Sequence, residues 1–303
     1  MTAHPHMTVS TTRIGSVAVL SVNGEVDMTS APLLEQEALA LLDTDISGLI
    51  VDLSGVDFLA SMGIALLVEL SKRAGDNTGF AVVAHGSATA RPLELLGLGE
   101  SWRSIRSSTT RSSASVTRRK ASPSRPPYPT NRGAMSSAPE ESALLFPDEI
   151  RSSGVRADPT EIAGLRVVTR RWLAKLPLSE DQRQDILLAS YEALANAVEH
   201  AYAPDDAHGT LDYEATYLPN EGEVVVRVVD HGSWHDAVDS DARRSRGHGL
   251  TLIRNLASDV QVSAGPKGTV VEMRWVLEET DRAENDRVGD DRAGDELSSH
   301  DAS

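Results

Sequence analysis

Cysteine is absent from this 303-residue chain, which excludes disulfide scaffolds, thiol nucleophiles and cysteine metal sites. Aromatic residues are scarce. Three Phe, four Trp and five Tyr are too few for a surface that stacks on successive bases. Positive charge is in deficit as well, and the formal net charge of −16 argues against a nucleic-acid binder, because neutralising phosphates takes clustered Lys and Arg. No apolar run approaches the roughly 18 residues of a membrane span, and Met1 to Thr12 lacks a basic segment followed by an apolar one. Neither a membrane nor a secretory route is expected, and the cytoplasm is the default location. Aliphatic residues, by contrast, are plentiful. A hydrophobic fraction of 40% is enough to bury real cores, and the length has room for two ordinary domains.

Charge is distributed unevenly. Residues 101–139 hold eight basic side chains and no acidic one, and are rich in Ser, Thr and Pro, as in Ser122-Pro-Ser-Arg-Pro-Pro-Tyr-Pro129. With no helical or strand period, this stretch cannot bury enough to offset its ordering entropy and reads as a disordered basic linker. A nucleic-acid role for its arginines is the weaker alternative. A flexible chain of about 40 residues has an end-to-end distance near 35 Å, so it would hold two domains at an effective concentration on the order of millimolar. Residues 278–303 carry ten acids against three arginines and read as an acidic disordered tail. Residues 1–12 read as a loose N-terminus. Two compact segments remain, 13–100 and 140–277.

The first alternates strands and helices. Val17–Val22 has strand character and is followed by the turn signal Asn23-Gly24. From Ser30 to Leu42 the residues Leu33, Leu34, Ala38, Leu41 and Leu42 form a helical stripe. Gly48–Leu53 is a short apolar run that suits a buried parallel strand. A helix over Ile64–Leu70, a strand over Phe80–Ala84 and a helix over Ala88–Leu98 complete a small α/β domain. Ser61 stands where the run from Asp52 turns into a helix. A helix N-terminus has free N–H groups and tolerates a phosphate well; a plain N-cap serine is the competing interpretation.

The second segment holds a longer helix. Leu178-Ser179-Glu-Asp-Gln182 is a capping-box start, and the helix continues through His200 and Tyr202. Leu187, Leu194 and Val198 share one stripe; Glu192, Asn196 and His200, spaced by four, share another. A carboxylate beside an amide oxygen can orient or deprotonate a hydroxyl and can help hold Mg2+ with nucleotide phosphates. An amphipathic helix with a solvated polar face fits the same spacing. After the strand Glu223–Val229 comes Asp230-His-Gly232, an acceptor at a strand end with a glycine that permits close backbone approach. Arg246-Gly247-His-Gly249-Leu250 leads into a helix, where N–H groups can cradle phosphates. Gly268-Thr269 then turns into the strand Val270–Trp275.

Two resemblances follow from these residues. Asn23-Gly-Glu-Val-Asp27 and Ile50-Val-Asp-Leu-Ser-Gly-Val-Asp-Phe58 make segment 13–100 similar to a STAS domain, the fold of bacterial anti-sigma factor antagonists. In that family a serine in the following loop is the phosphorylation switch. Here the loop reads Ala60-Ser61-Met62-Gly63 rather than Asp-Ser-Ser/Thr-Gly, so Ser61 is the sole candidate phosphoacceptor. In segment 140–277 the ordered set Glu192-x-x-x-Asn196-Ala-Val-x-His200, Asp230-x-Gly232, Gly247-x-Gly249-Leu250 and Gly268-Thr269 resembles the GHKL ATPase superfamily, and within it the anti-sigma factor serine kinases. The histidine-kinase branch would need a two-helix phosphoacceptor module where this chain has its Pro-rich linker.

The resemblance implies an N-terminal STAS-like α/β domain and a C-terminal Bergerat α/β sandwich that binds ATP and Mg2+. Glu192 would be the general base and Asn196 the magnesium ligand. Asp230, helped by Gly232 and Thr269, would bind the adenine amino group. Gly247, Gly249 and Leu250 would approach the phosphates. A charged lid would lie between Gly232 and Gly247, although Ser233-Trp234 replaces the usual further Gly or Pro. The implied activity is a protein-serine kinase in a partner-switching regulator of transcription. Its partners would be a sigma factor and STAS antagonists or its own STAS domain, and dimerisation is a family expectation. A nucleotide-binding partner-switch adaptor without kinase activity is the alternative.

Overall fold

The structure is a computed structural model that describes residues 2–4, 6–75, 77–99, 148–203, 208–233 and 248–277. The linker, the acidic tail, Gly247 and the stretch assigned to the lid lie outside the described residues. In the N-terminal half, β1 (Thr2–His4), β2 (Met7–Ile14), β3 (Val17–Val26), β4 (Gly48–Leu59) and β5 (Gly79–Val83) form one sheet in that order. The pairs β1–β2 and β2–β3 are antiparallel, whereas β3–β4 and β4–β5 are parallel. Helices α1 (Ala31–Leu42), α2 (Ser61–Ala74) and α3 (Gly86–Leu95) complete this half. The expected parallel strand over Gly48–Leu53 is therefore present and six residues longer, and its residues alternate between buried and partly covered.

Two local expectations are corrected. The residues before Arg13 are not loose: Met7 and Val9 are buried, and β2 pairs with β3 along its whole length, from Met7 opposite Gly24 to Ile14 opposite Val17. Asn23-Gly24 does not turn the chain. It lies within β3 at register shifts against β4, where Gly24 takes φ 97° and a Cβ would sit 2.2 Å from the His6 carbonyl oxygen. The glycine thus makes a bulge rather than a hairpin.

The C-terminal half is one antiparallel sheet in the order β6 (Glu149–Arg156), β7 (Thr210–Leu218), β8 (Glu223–Asp230), β10 (Gly268–Val276), β9 (Asp259–Gly265). It is covered by α4 (Pro159–Leu173), α5 (Glu180–His200) and α6 (His248–Leu256). Asp158 caps α4 through Thr160, with Pro159 at the first helical position. The capping box of α5 is formed as expected, with Ser179 accepting from Gln182 N–H and the Gln182 side chain accepting from Ser179 N–H. Leu187 and Leu194 are buried and Val198 packs at the edge of the same core. Among the described residues no helix is long and apolar enough to cross a membrane.

The halves meet along helices. α2 and α3 lie against α5 and α6, and the buried residues of both halves join into one cluster. Phe58 at the end of β4 meets Tyr191 of α5 edge-to-face, with ring centroids 5.2 Å apart.

Candidate functional site

The site begins at the N-terminus of α2. Ala60, in extended backbone, is the N-cap, and no side chain caps the helix. Ser61 is therefore the first helical residue and not the cap. Its N–H is one of the four first-turn donors with no intrahelical acceptor. It donates to Glu192 Oε1 at 2.7 Å, while Ser61 Oγ donates to Glu192 Oε2 at 2.5 Å. The residues that meet here are 131 positions apart. Glu192 is 1% exposed. Burial pushes its carboxyl up to about 7, against the two hydrogen bonds from Ser61, and the negative charge of Glu199 adds to the rise. A carboxyl near neutrality touching a hydroxyl is the arrangement of a general base and its proton donor.

Asn196 follows one turn later on α5. Its Nδ2 is buried without a hydrogen-bond partner. Rotating the amide presents its oxygen at the same place, so the residue fits a hard cation or a phosphate. Gly249, near the start of α6, comes so close that a Cβ there would lie 2.8 Å from Glu192 Oε2, 3.4 Å from Asn196 Oδ1 and 3.6 Å from Ser61 Oγ. Only a glycine brings the open N-terminal turn of α6 onto this carboxylate. Leu250 beside it packs partly into the core. His200 lies a further turn along, its Nε2 3.7 Å from the Glu199 carboxylate. A crevice opens between the halves here, bordered by Met28, Ser61 and Met62 on one side and Glu192, Asn196 and Glu199 on the other.

At the far end of the sheet, Asp230 closes β8 and is 3% exposed. Its Oδ1 accepts from Gly232 N–H at 3.2 Å and from Thr269 N–H at 3.1 Å. The three residues expected around the adenine thus meet, and the carboxylate is fixed as an acceptor. The approach is tight. A Cβ at Gly232 would lie 2.0 Å from the Ala201 carbonyl oxygen, and one at Gly268 1.9 Å from that of Asp230. Gly247 lies outside the described residues.

The structure adds a charge cluster that the sequence reading missed. Arg166 of α4, with a side chain 0% exposed, donates from Nη1 to Asp27 Oδ2 at 2.5 Å and from Nη2 to Glu25 Oε2. Arg170 reaches Glu25 Oε1. The Arg166 guanidinium also stands 4.6 Å above the Phe58 ring and 5.3 Å from that of Tyr191. Asp27 organises its own loop too, accepting from Thr29 N–H, Thr29 Oγ1 and Ser30 N–H. Burial would raise the Asp27 carboxyl, but the hydrogen bonds from Thr29 and the charge of Arg166 hold it below its ordinary value. One signal was available. Ile162, Leu165, Arg166, Thr169 and Leu173 fall on one helical stripe, and a cation within that stripe announces a buried partner.

Comparison with known proteins agrees with this division. The STAS domain family model matches residues 8–113, and the histidine kinase-like ATPase domain model matches residues 155–275. The anti-sigma-F factor antagonist RsfB of Mycobacterium tuberculosis is 39% identical over 103 residues, which are 34% of this chain and 84% of that protein. Among solved structures, an anti-sigma factor antagonist from Mycobacterium paratuberculosis is 38% identical (TM-score 0.33), covering 36% of this chain and 92% of its own. The RsbU and RsbW domains of a Mycobacterium tuberculosis protein are 27% identical (TM-score 0.35), covering 43% of this chain and 32% of that one. The chain belongs to the STAS family of anti-sigma factor antagonists through its N-terminal half, and that half is joined to a histidine kinase-like ATPase domain.

Proposed function

We propose that this chain is a self-contained serine-phosphorylation switch, in which an anti-sigma-type kinase half phosphorylates Ser61 of its own antagonist half. The observation that carries the proposal is the double hydrogen bond from Ser61 to Glu192. A hydroxyl held on a buried carboxylate whose pKa is raised to about 7 is ready to lose its proton at neutral pH. Ser61 Oγ forms the bond to the γ-phosphorus of ATP, its proton passes to Glu192, and the bond from that phosphorus to the β–γ bridging oxygen breaks, releasing ADP. Asp230 would accept a hydrogen bond from the adenine amino group. Gly249 and Leu250 would offer backbone N–H groups to the phosphates, and Asn196 one oxygen to Mg2+, which supplies charge neutralisation on the phosphates when bound.

Regulation follows from the same contact. A phosphate on Ser61 adds roughly 1.5 to 2 negative charges against an ionised Glu192 and separates the halves. The unmodified antagonist half occupies the kinase half, and its release would change access for a sigma factor. In this proposal the antagonist half runs to residue 100 and starts with the paired strands β1 and β2 rather than at residue 13; residues 101–139 join it to the kinase half at 140–277, and a tail follows at 278–303.

The test is the intact mass and peptide map of the full chain after incubation with Mg-ATP, beside Glu192→Ala. One phosphate on Ser61 in the wild type, and none in the variant, is the expected outcome. ATP bound with Ser61 unmodified would overturn the kinase reading and leave a nucleotide-binding partner-switch adaptor.

A further inference from the structure

Away from the reacting atoms, α3 carries a second contact to the C-terminal half. Arg91 Nε donates to Asp185 Oδ1 and Arg91 Nη2 to Asp185 Oδ2, both at 2.7 Å. Two parallel bonds between a guanidinium fork and a carboxylate fix direction as well as distance. Asp185 is largely covered, with 12% of its side chain exposed against 42% for Arg91. Asp185 precedes Glu192 by seven residues on α5, two turns or about 10 Å along the axis. The pair therefore touches nothing in the chemistry, yet it ties α3 to the helix that carries Glu192.

Its independence from the rest of the fold sets it apart. Asp27 cannot change without losing the Thr29–Ser30 loop. Neither Arg91 nor Asp185 makes another side-chain hydrogen bond among the described residues. Such a pair can vary jointly without cost to either domain's interior. A domain that presents anything but a cation to Asp185 leaves a largely covered carboxylate unpaired, which is a penalty against wrong partners.

We propose that Arg91 and Asp185 form a pairing determinant that selects this antagonist half for this kinase half. They are positioning residues: they orient Ser61 on Glu192 without touching it. The inference rests on the proposed switch for its purpose, but its test reads docking directly.

The experiment is hydrogen exchange of the full chain, read in peptides containing Met28 and Ser61. The amides of both donate across the interface, Met28 N–H to Tyr191 Oη at 3.2 Å and Ser61 N–H to Glu192. Arg91→Glu and Asp185→Arg are measured singly and together, with β8 and β10 as the reporter of intact folding. Each single reversal is expected to raise exchange at both amides by about tenfold, and the double reversal to return it to within about threefold of wild type. Singles that leave exchange unchanged, or a double as open as either single, would overturn the proposal. Should Asp185→Arg expose β8 and β10, Asp185→Asn takes its place, and the same rise is required with the ladder still protected. A wild-type chain that protects both amides yet never phosphorylates Ser61 removes the switch reading while the exchange pattern still decides the pairing.

Discussion

The interface between the halves has two ends, each with a buried carboxylate, and the two carboxylates are shifted in opposite directions. At one end Asp27 faces the Arg166 guanidinium and is held below its ordinary pKa. At the other Glu192 faces only a hydroxyl and an amide and is pushed up to about 7. Burial is common to both; Asp27 differs in having the Thr29 hydrogen bonds and then the Arg166 guanidinium set against it. With both, the carboxylate stays ionised and serves as an anchor. A cation alone is not enough, since burial raises Asp185 although Arg91 holds it. With neither, as at Glu192, the carboxyl sits near neutrality and can exchange a proton. The molecule thus separates holding from reacting along a single surface.

The anchored end should break hardest. Arg166→Ala leaves Glu25 and Asp27 beside each other with Arg170 alone to offset them. Removing one partner of a buried ion cluster costs about 3–5 kcal/mol, so the unfolding free energy of the full chain, read from its denaturant transition, should fall by that much. A loss below about 1 kcal/mol would mean that the cluster is hydrated and does not anchor the halves.

Acid and base should act on the two ends in opposite senses. The Glu192 carboxyl is raised in the folded chain, so its protonated form is favoured there. Its contribution is fully present below the ordinary carboxyl value of 4.5 and is lost as pH rises through about 7. The penalty for the ionised form is on the order of 3 kcal/mol. Asp27 is lowered, so its contribution is present above its ordinary value of 3.8 and is lost only as pH falls below it. Between pH 5 and 8 the Glu192 contribution should therefore decline; Asp185, also raised by burial, adds a decline of the same sign, and Glu192→Gln should remove the part that passes through about pH 7. Phosphate transfer to Ser61 should instead rise through about pH 7, because the base must be ionised. A stability profile in Glu192→Gln as steep as in wild type would refute the assignment.

The chemically specific end was legible from the sequence, and the anchoring end was not. Glu192 and Asn196 share a helical stripe whose spacing could be read from the chain, and the parallel strand at Gly48 followed from its apolar run. The grouping of Asp230, Gly232 and Thr269, and the α/β sandwich around them, came instead from the resemblance that the ordered motifs carry. Arg166 with Glu25 and Asp27, and Arg91 with Asp185, join residues 139, 141 and 94 positions apart. Nothing local distinguishes those charges from solvated ones, apart from the placement of Arg166 in an apolar stripe. The strand over Met7–Ile14 was missed for a related reason. Its Ser and Thr residues look like a tail until β3 supplies a partner for every backbone group. The N-cap interpretation of Ser61 fails because the helix starts one residue earlier than the capping pattern requires, with Ala60 at the cap, which leaves the hydroxyl and the amide of Ser61 to Glu192.

Between the two ends lies a neutral contact that sharpens the comparison. Tyr191 is 1% exposed, and its hydroxyl accepts from Met28 N–H at 3.2 Å. Burial pushes its ionisation well above the usual phenol range, so it carries no charge at any pH where the protein functions. Tyr191→Phe keeps the ring against Phe58 and Arg166 and removes only the acceptor. The Met28 amide is then left unsatisfied, at about 1 kcal/mol, or roughly a fivefold rise in its exchange rate relative to the open-state limit. That loss should be equal at pH 5 and pH 8, unlike anything that passes through Glu192. A Tyr191→Phe effect that grows with pH would show that the hydroxyl is coupled to Glu192, the residue next to it on α5, and that the middle of the interface belongs to the reacting end and not to the anchor.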